Sequence, residues 1–220
     1  MLRRTFLAGV TVAALWPSAA FSSGPIRIWG LWARDPIPGR NGVNQLKGTL
    51  HYRVNSDSTD RALNAYGNGL DGSSSQRQCV ELIKRYAAQL GFSGYGGSLG
   101  SNDNGNALPS VGDGYQAAQR FANASSGAFT FVANGASDLP KPGAVISIEQ
   151  FIPGGHVGIV CNHDAAEAQS GALRIKIVEQ NMPIDTWKEI RFSRTNGRWY
   201  GVMPNRGREP AVIGWANPTG

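Results

Sequence analysis

The amino-acid sequence predicts an α+β fold in which two helices, N-terminal in the main domain, pack on an antiparallel β-sheet. The hydrophobic period is helical at 79–90 and again at 115–124. From residue 144 onward apolar residues alternate with a period of two, and short turns separate the alternating segments. The 220 residues, 41% of them hydrophobic, suffice for one domain with a substantial core.

The first predicted helix begins at Cys79 and ends near residue 90. Its apolar face is formed by Val80, Ile83, Ala87 and Leu90. Serines at 73–75 are candidate N-caps, and Gly91 is a natural stop. The Cys79 thiol therefore lies in or beside the first turn, where unpaired backbone N–H groups and the helix dipole favour a thiolate. Cys79 is thus a candidate nucleophile, provided that a histidine can reach it.

The remaining elements follow from the same patterns. Residues 115–124 predict a second helix, and the stretch 91–114, rich in Gly, Ser and Asn, predicts a surface loop. Six strands are expected beyond a turn at 138–143: 144–148, 155–161, 173–179, 188–193, 198–202 and 211–215. Residues 23–65 are predicted to form a lead-in segment that precedes the main domain and contains one strand at 48–54. Trp29 and Trp32 are expected to pack this segment on the main domain.

His156 opens the second of these six strands, directly after a tight Pro-Gly-Gly turn. Alternation places His156, Gly158 and Val160 on one face of the strand and Val157, Ile159 and Cys161 on the other. Cys161 therefore points away from the imidazole and is interpreted as a small buried hydrophobic residue. The alternative is a Cys79–Cys161 disulfide, the default for two cysteines in an exported protein.

An acidic residue ends the next strand. Leu173, Ile175 and Ile177 share one face, and Glu179 and Asn181 continue on it. Glu179 is therefore expected on the buried side of the sheet, where a carboxylate needs a hydrogen-bonding partner. A histidine on the adjacent strand would supply that partner, and a bond to backbone or water is the alternative.

Together these residues suit acyl transfer to a thiol. Cys79 would attack an amide carbonyl, while backbone N–H groups and the Gln78 side chain hold the oxyanion. His156 would protonate the leaving amine and then activate the water that cleaves the thioester. Glu179 would orient the imidazole, and Asn181 could share that task.

Four motifs resemble the CHAP domain, the cysteine, histidine-dependent amidohydrolases/peptidases related to the NlpC/P60 group: QCVE at 78–81, PGAV at 142–145, GHVGIV at 155–160 and EQN at 179–181. The resemblance runs from about Gly67 to Trp215. It implies a papain-like NlpC/P60/CHAP fold with Cys79, His156 and Glu179 as the catalytic triad. The closing motifs at 197–201 and 213–215 are most similar to glutathionylspermidine amidase-type CHAP domains. Ala144 departs from the Asp that many CHAP domains carry there.

Residues 1–22 are predicted to be a signal peptide. Arg3 and Arg4 precede an apolar stretch at 6–16 that is too short to span a bilayer, and small residues follow it. The RRTFL pattern is typical of a twin-arginine signal, and an ordinary export signal is the alternative. The expected location is therefore the periplasm or the exterior, without stable membrane insertion. Residues 23–65 then form the lead-in and 66–220 the CHAP amidase domain.

The predicted function is that of an exported cysteine amidohydrolase or endopeptidase that cleaves amide bonds in peptidoglycan peptides through a thioester acyl-enzyme. The alternatives are an amidase acting on a small γ-glutamyl or polyamine amide, and a catalytically silent binding module. Basic residues are scattered despite a formal charge of +6, which argues against a nucleic-acid partner. No HExxH or paired CxxC spacing occurs, so no metal or other cofactor is expected. His51 and His163 are interpreted as surface or structural residues, and a monomer is the expected state.

Overall fold

The structure, a computed structural model, describes residues 25–34, 46–66, 79–92, 114–149, 155–163, 168–180, 187–204 and 209–220. Within these ranges it contains two helices, α1 (Cys79–Gln89) and α2 (Gly114–Ala124). It also contains ten strands: β1 (Ile28–Arg34), β2 (Leu46–Val54), β3 (Arg61–Tyr66), β4 (Phe129–Ala133), β5 (Val145–Ile148), β6 (His156–His163), β7 (Ala172–Glu179), β8 (Trp187–Thr195), β9 (Arg198–Val202) and β10 (Val212–Pro218). The predicted signal peptide, Gln78, Asn181 and residues 93–113 of the predicted loop lie outside the described residues.

The strands form two antiparallel sheets. The larger has the order β4-β10-β5-β6-β7-β8-β9, and the smaller has the order β1-β2-β3. Helix α2 packs on β5, β10 and β4, and α1 packs on β6. The predicted α+β class, with helices on an antiparallel sheet, is therefore confirmed. None of the described helices has the length and hydropathy that crossing a bilayer requires.

The larger sheet curls so that its last strand returns towards its first. The backbone N–H of Trp199 in β9 donates to the Ala136 carbonyl at 2.8 Å, and that of Gly135 donates to the Trp199 carbonyl at 2.8 Å. Val202 and Ala211 form an isolated bridge between β9 and the start of β10. The curl encloses one hydrophobic core, built from Ala144, Ile146, Ile148, Val160, Leu173, Ile175, Ile177, Ile190, Phe192, Trp199, Met203, Val212 and Trp215.

A second core lies on the other face of the larger sheet, between that sheet, the two helices and the smaller sheet. Its centre is an aromatic cluster in which the Tyr86 ring lies 5.2 Å from Tyr52 and 5.8 Å from Phe121. The Tyr86 hydroxyl donates to the Gly143 carbonyl at 3.0 Å. Burial raises the pKa of Tyr86 well above its usual value, so this hydroxyl stays protonated.

The lead-in strands belong to the same core. Ile28 packs so closely on Gly143 that a Cβ at Gly143 would lie 2.6 Å from the Ile28 side chain, and Gly143 has a φ of +82°. The Gly220 N–H donates to the Ile26 carbonyl at 2.8 Å, which joins the two described ends. The smaller sheet is therefore part of the folded unit and not a detached appendage.

The structure differs from the predicted pattern in two respects. Leu82 and Tyr86 of α1 are fully buried, whereas Val80 of the predicted apolar face is only partly buried. The reason is that α1 lies between β3 of the smaller sheet and β6 of the larger one, so two sides of the helix are covered. Strands β1, β3 and β4 were not predicted; β4 pairs with β10, about 80 residues later, and such pairing leaves little local signal.

Candidate active site

Helix α1 begins at Cys79, as the hydrophobic pattern predicted. The thiol therefore lies at the helix N-terminus, where the first backbone N–H groups have no intrahelical acceptor. Gly91 ends this segment with a φ of +76°, a conformation that glycine adopts without steric cost. Cys79 retains 7% of its surface, so the sulfur lies at the edge of the helix-side core.

His156 opens β6, and Glu179 closes the adjacent strand β7. In the antiparallel register Gly158 faces Glu179, so His156 lies two residues along the same face of the strand. The His156 Nε2 atom lies 2.5 Å from the Glu179 Oε2 atom. Both residues are 1% exposed, so the bond between them replaces hydration that each side chain has lost.

The Cys79 side chain lies within hydrogen-bonding reach of the same imidazole. Glu179 engages Nε2, which leaves Nδ1 as the ring nitrogen available to the sulfur. The structure thus brings Cys79, His156 and Glu179 into one chain of contacts, the catalytic line, although 77 and 23 residues separate them in sequence. Their catalytic roles stay predictions.

The imidazole is held in its charged form. Burial by itself would lower the pKa of His156, but the Glu179 carboxylate and the Cys79 side chain outweigh this effect and raise the pKa well above its usual value. At neutral pH the ring is therefore an imidazolium that donates from both nitrogens. This cation lies beside the sulfur of the candidate nucleophile.

Glu179 bonds to His156 through one oxygen only. Its Oε1 atom is buried and accepts no hydrogen bond from the described residues. Among the described residues, the imidazolium therefore balances the charge of this buried carboxylate. Replacing His156 alone would leave an unpaired buried charge, which is strongly unfavourable.

Two positioning residues were missed by sequence reasoning. Buried Ser147 on β5 donates to the Gly114 carbonyl at 2.7 Å and accepts from the Ala118 N–H at 2.9 Å, which anchors the first turn of α2. A Cβ at Gly114 would lie 2.8 Å from the His156 backbone, so only glycine permits this approach. A serine inside the apolar run AVISI was the one available signal.

Cys161 is separate from this line. It is a free thiol, 5% exposed, and packs with Val157 and Ile159 on the helix side, whereas Val160 faces the curl. The predicted alternation is therefore confirmed for Val157, Ile159 and Cys161 on one face and Val160 on the other. Burial raises the pKa of Cys161 well above that of an ordinary thiol. Cys79 is also free, so the structure contains no bond between the two sulfurs.

Among the described residues no group of three or more His, Cys, Asp or Glu side chains is arranged to hold a metal ion. The chemistry that the described arrangement can perform is nucleophilic attack by sulfur with proton transfer through imidazole.

Comparison with known proteins gives one family. The family model described as CHAP domain matches residues 68–181, just over half of the chain. The matched segment contains Cys79, His156 and Glu179, together with both helices and β4 to β7. No curated protein matches the chain.

Proposed function

The chain belongs to the CHAP domain family, and we propose that it is an exported cysteine amidohydrolase or endopeptidase that cleaves amide bonds in peptidoglycan peptides. CHAP domains are typically amidases or peptidases, so the family supports a hydrolase. The single observation that carries the thiol mechanism is the line formed by Cys79, the His156 imidazole and the Glu179 carboxylate. The same arrangement, a helix-borne thiol facing a sheet-borne histidine, supports a papain-like layout.

In the first step the Cys79 thiolate attacks the amide carbonyl carbon, and the carbonyl π electrons move to oxygen. Backbone N–H groups of the first turn of α1 hold the oxyanion, with Gln78 as a further proposed donor. When the oxyanion collapses, the C–N bond breaks and the His156 Nδ1 proton passes to the leaving nitrogen. The products are a free amine and a thioester on Cys79.

In the second step neutral His156 takes a proton from water as the water oxygen attacks the thioester carbonyl. The C–S bond then breaks, the carboxylic product leaves, and the thiolate–imidazolium pair is restored. Glu179 keeps its bond to Nε2 throughout, which fixes the ring orientation and stabilises its charge. Asn181 is proposed to assist Glu179.

Peptidoglycan is the proposed substrate because the predicted export signal would deliver the chain to the compartment that contains it. The formal charge of +6, with Arg3 and Arg4 removed at cleavage, is compatible with an anionic wall. The small-amide alternative rests on the glutathionylspermidine amidase-like motifs. The tryptophans of these motifs, Trp199 and Trp215, are buried inside the curled sheet. The motifs are therefore explained by core packing and do not favour a small substrate.

The proposal is tested by digesting purified peptidoglycan of known chemistry with the mature chain and weighing the fragments. The masses distinguish a bond between sugar and stem from a bond within or between stems. Cleavage that is lost in Cys79→Ala supports the proposal. Intact peptidoglycan together with hydrolysis of γ-glutamyl or polyamine amides would replace the proposed substrate, and no cleavage of either would support a silent module.

Export is tested separately with the full chain. Replacing both Arg3 and Arg4 by lysine keeps the charge of the segment but removes the twin-arginine pattern. We expect the double variant to stay inside the cell. Continued export would identify an ordinary signal and correct the proposed route.

A further inference from the structure

A closed ring of polar side chains joins α1 to the end of β7. Arg85 Nε donates to Glu81 Oε1 at 2.6 Å, and Arg85 Nη2 donates to Gln180 Oε1 at 2.8 Å. Gln180 Nε2 closes the ring by donating to Glu81 Oε2 at 2.6 Å. Gln180 is fully buried, so each of its two bonds replaces solvation that the amide has lost.

The ring lies next to the catalytic residues in sequence as well as in space. Glu81 is two residues beyond Cys79 on α1, and Gln180 directly follows Glu179. The ring therefore couples the element that carries the nucleophile to the strand that carries the acid. A third contact extends it, because Arg85 Nη1 donates to the Asn64 carbonyl of β3 at 2.8 Å.

We propose that the ring of Glu81, Arg85 and Gln180 is a positioning device that sets the distance from the Cys79 sulfur to the imidazole, with the smaller sheet as its outer support. The inference rests on the proposed roles of Cys79, His156 and Glu179. A shift of α1 against β7 would separate sulfur from imidazole, and small displacements of a nucleophile lower its rate strongly.

The donor pattern of the ring permits a sharp test. A carboxylate only accepts and a guanidinium only donates, so the amide must point its oxygen at Arg85 and its nitrogen at Glu81. In Glu81→Gln, one of the three ring bonds must break whichever way the amides turn. In Gln180→Glu, two carboxylates face each other. The double variant E81Q/Q180E exchanges the two groups, restores every donor–acceptor pair and keeps the net charge.

The readout is the rate at which iodoacetamide alkylates Cys79, followed by peptide mass from pH 5 to 9, because this needs no substrate. We expect each single variant to react about tenfold more slowly at neutral pH, because the sulfur is displaced from the imidazole. The exchanged double variant should recover to within about threefold of the wild-type rate.

Ala88→Glu is the matched control. Ala88 lies on the exposed side of the same helix, and its substitution adds the same charge as Gln180→Glu. We expect the alkylation rate of Cys79 in this variant to stay within about twofold of wild type, since Ala88 lies more than two turns from Cys79.

Each outcome decides one question. A reactive wild-type Cys79 whose rate is unchanged in both single variants, or is not recovered in the exchanged variant, overturns the positioning role alone. A wild-type Cys79 that reacts like a free thiol overturns the proposed function and this role with it. If a single variant does not fold, the exchanged variant decides: recovery supports the role and a slow rate rejects it.

Discussion

Cys79 and Cys161 are both free and largely buried, yet their surroundings differ. Cys79 starts a helix and lies beside an imidazole, whereas Cys161 lies within a strand, 3.8 Å from the Ile159 carbonyl. Burial raises the pKa of Cys161 well above that of an ordinary thiol. The proposed function therefore predicts that the two thiols differ in reactivity, because an imidazolium lies beside Cys79 only.

The largest expected difference between the two cysteines is in catalysis. Cys79→Ala should lower kcat by about 10⁴-fold or more, as loss of a nucleophile does in a comparable triad. Cys161→Ala removes the other sulfur and should leave kcat within about threefold, because Cys161 lies outside the catalytic line. Fragment release from peptidoglycan measures both, and equal losses would refute the distinction.

Glu179→Gln tests the His156 imidazolium, the cation that distinguishes the surroundings of Cys79 from those of Cys161. The substitution keeps the shape of the side chain but removes the charge that raises the pKa of His156. The imidazolium therefore loses its proton at a lower pH than in the wild type. We expect kcat to fall by about 10²- to 10⁴-fold.

The pH dependence of activity tests the same substitution. In the wild type the raised pKa keeps His156 protonated as pH rises above neutrality, so activity should be lost only as pH passes through that raised pKa. In Glu179→Gln the alkaline limb should move to lower pH. A pH–rate profile with an unmoved alkaline limb would remove Glu179 from the proposed mechanism.

Chemical labelling compares the two thiols within one molecule. Iodoacetamide at neutral pH should modify Cys79 at least about 100-fold faster than Cys161, because Cys161 must wait for the core to open. In denaturant both should react at similar rates. Peptide mass spectrometry assigns the labels, and equal labelling of the native chain would show that burial governs both.

The smallest effect is expected for the stability contribution of Cys161. Cys161→Ala leaves a small cavity in an apolar cluster and should lower the free energy of unfolding by about 1 kcal/mol. Cys161→Ser should cost more, about 1–3 kcal/mol, since its hydroxyl would lose its hydration inside an apolar cluster. Denaturant titration measures both, and the reverse order would indicate a polar site.

The sequence located much of the fold and the candidate residues of the site. Helix α1, helix α2 and six strands of the larger sheet follow from periodicity, and alternation placed Glu179 on the buried face of β7. Strands β1 and β3, which flank the predicted β2, were missed, as was the curl that brings β9 back to β4. Pairing between segments that are remote in sequence produces no periodic pattern in either segment.

Polar connections were the least predictable part. The Ser147–Gly114 anchor and the ring of Glu81, Arg85 and Gln180 join residues 33 and up to 99 positions apart. Of these residues only Ser147, inside an apolar run, stands out in its local pattern, and the hydrogen-bond partner of each is set by packing.

Local pattern was therefore enough to predict which side chains face inward and where the candidate thiol, imidazole and carboxylate stand along the chain, because burial periodicity is a property of neighbouring residues. The meeting of these three groups, the charge on His156 and the bracing of α1 against β7 required the folded chain. They depend on distances between elements and on burial of opposite charges, and both quantities exist only after the sheet and helices have packed.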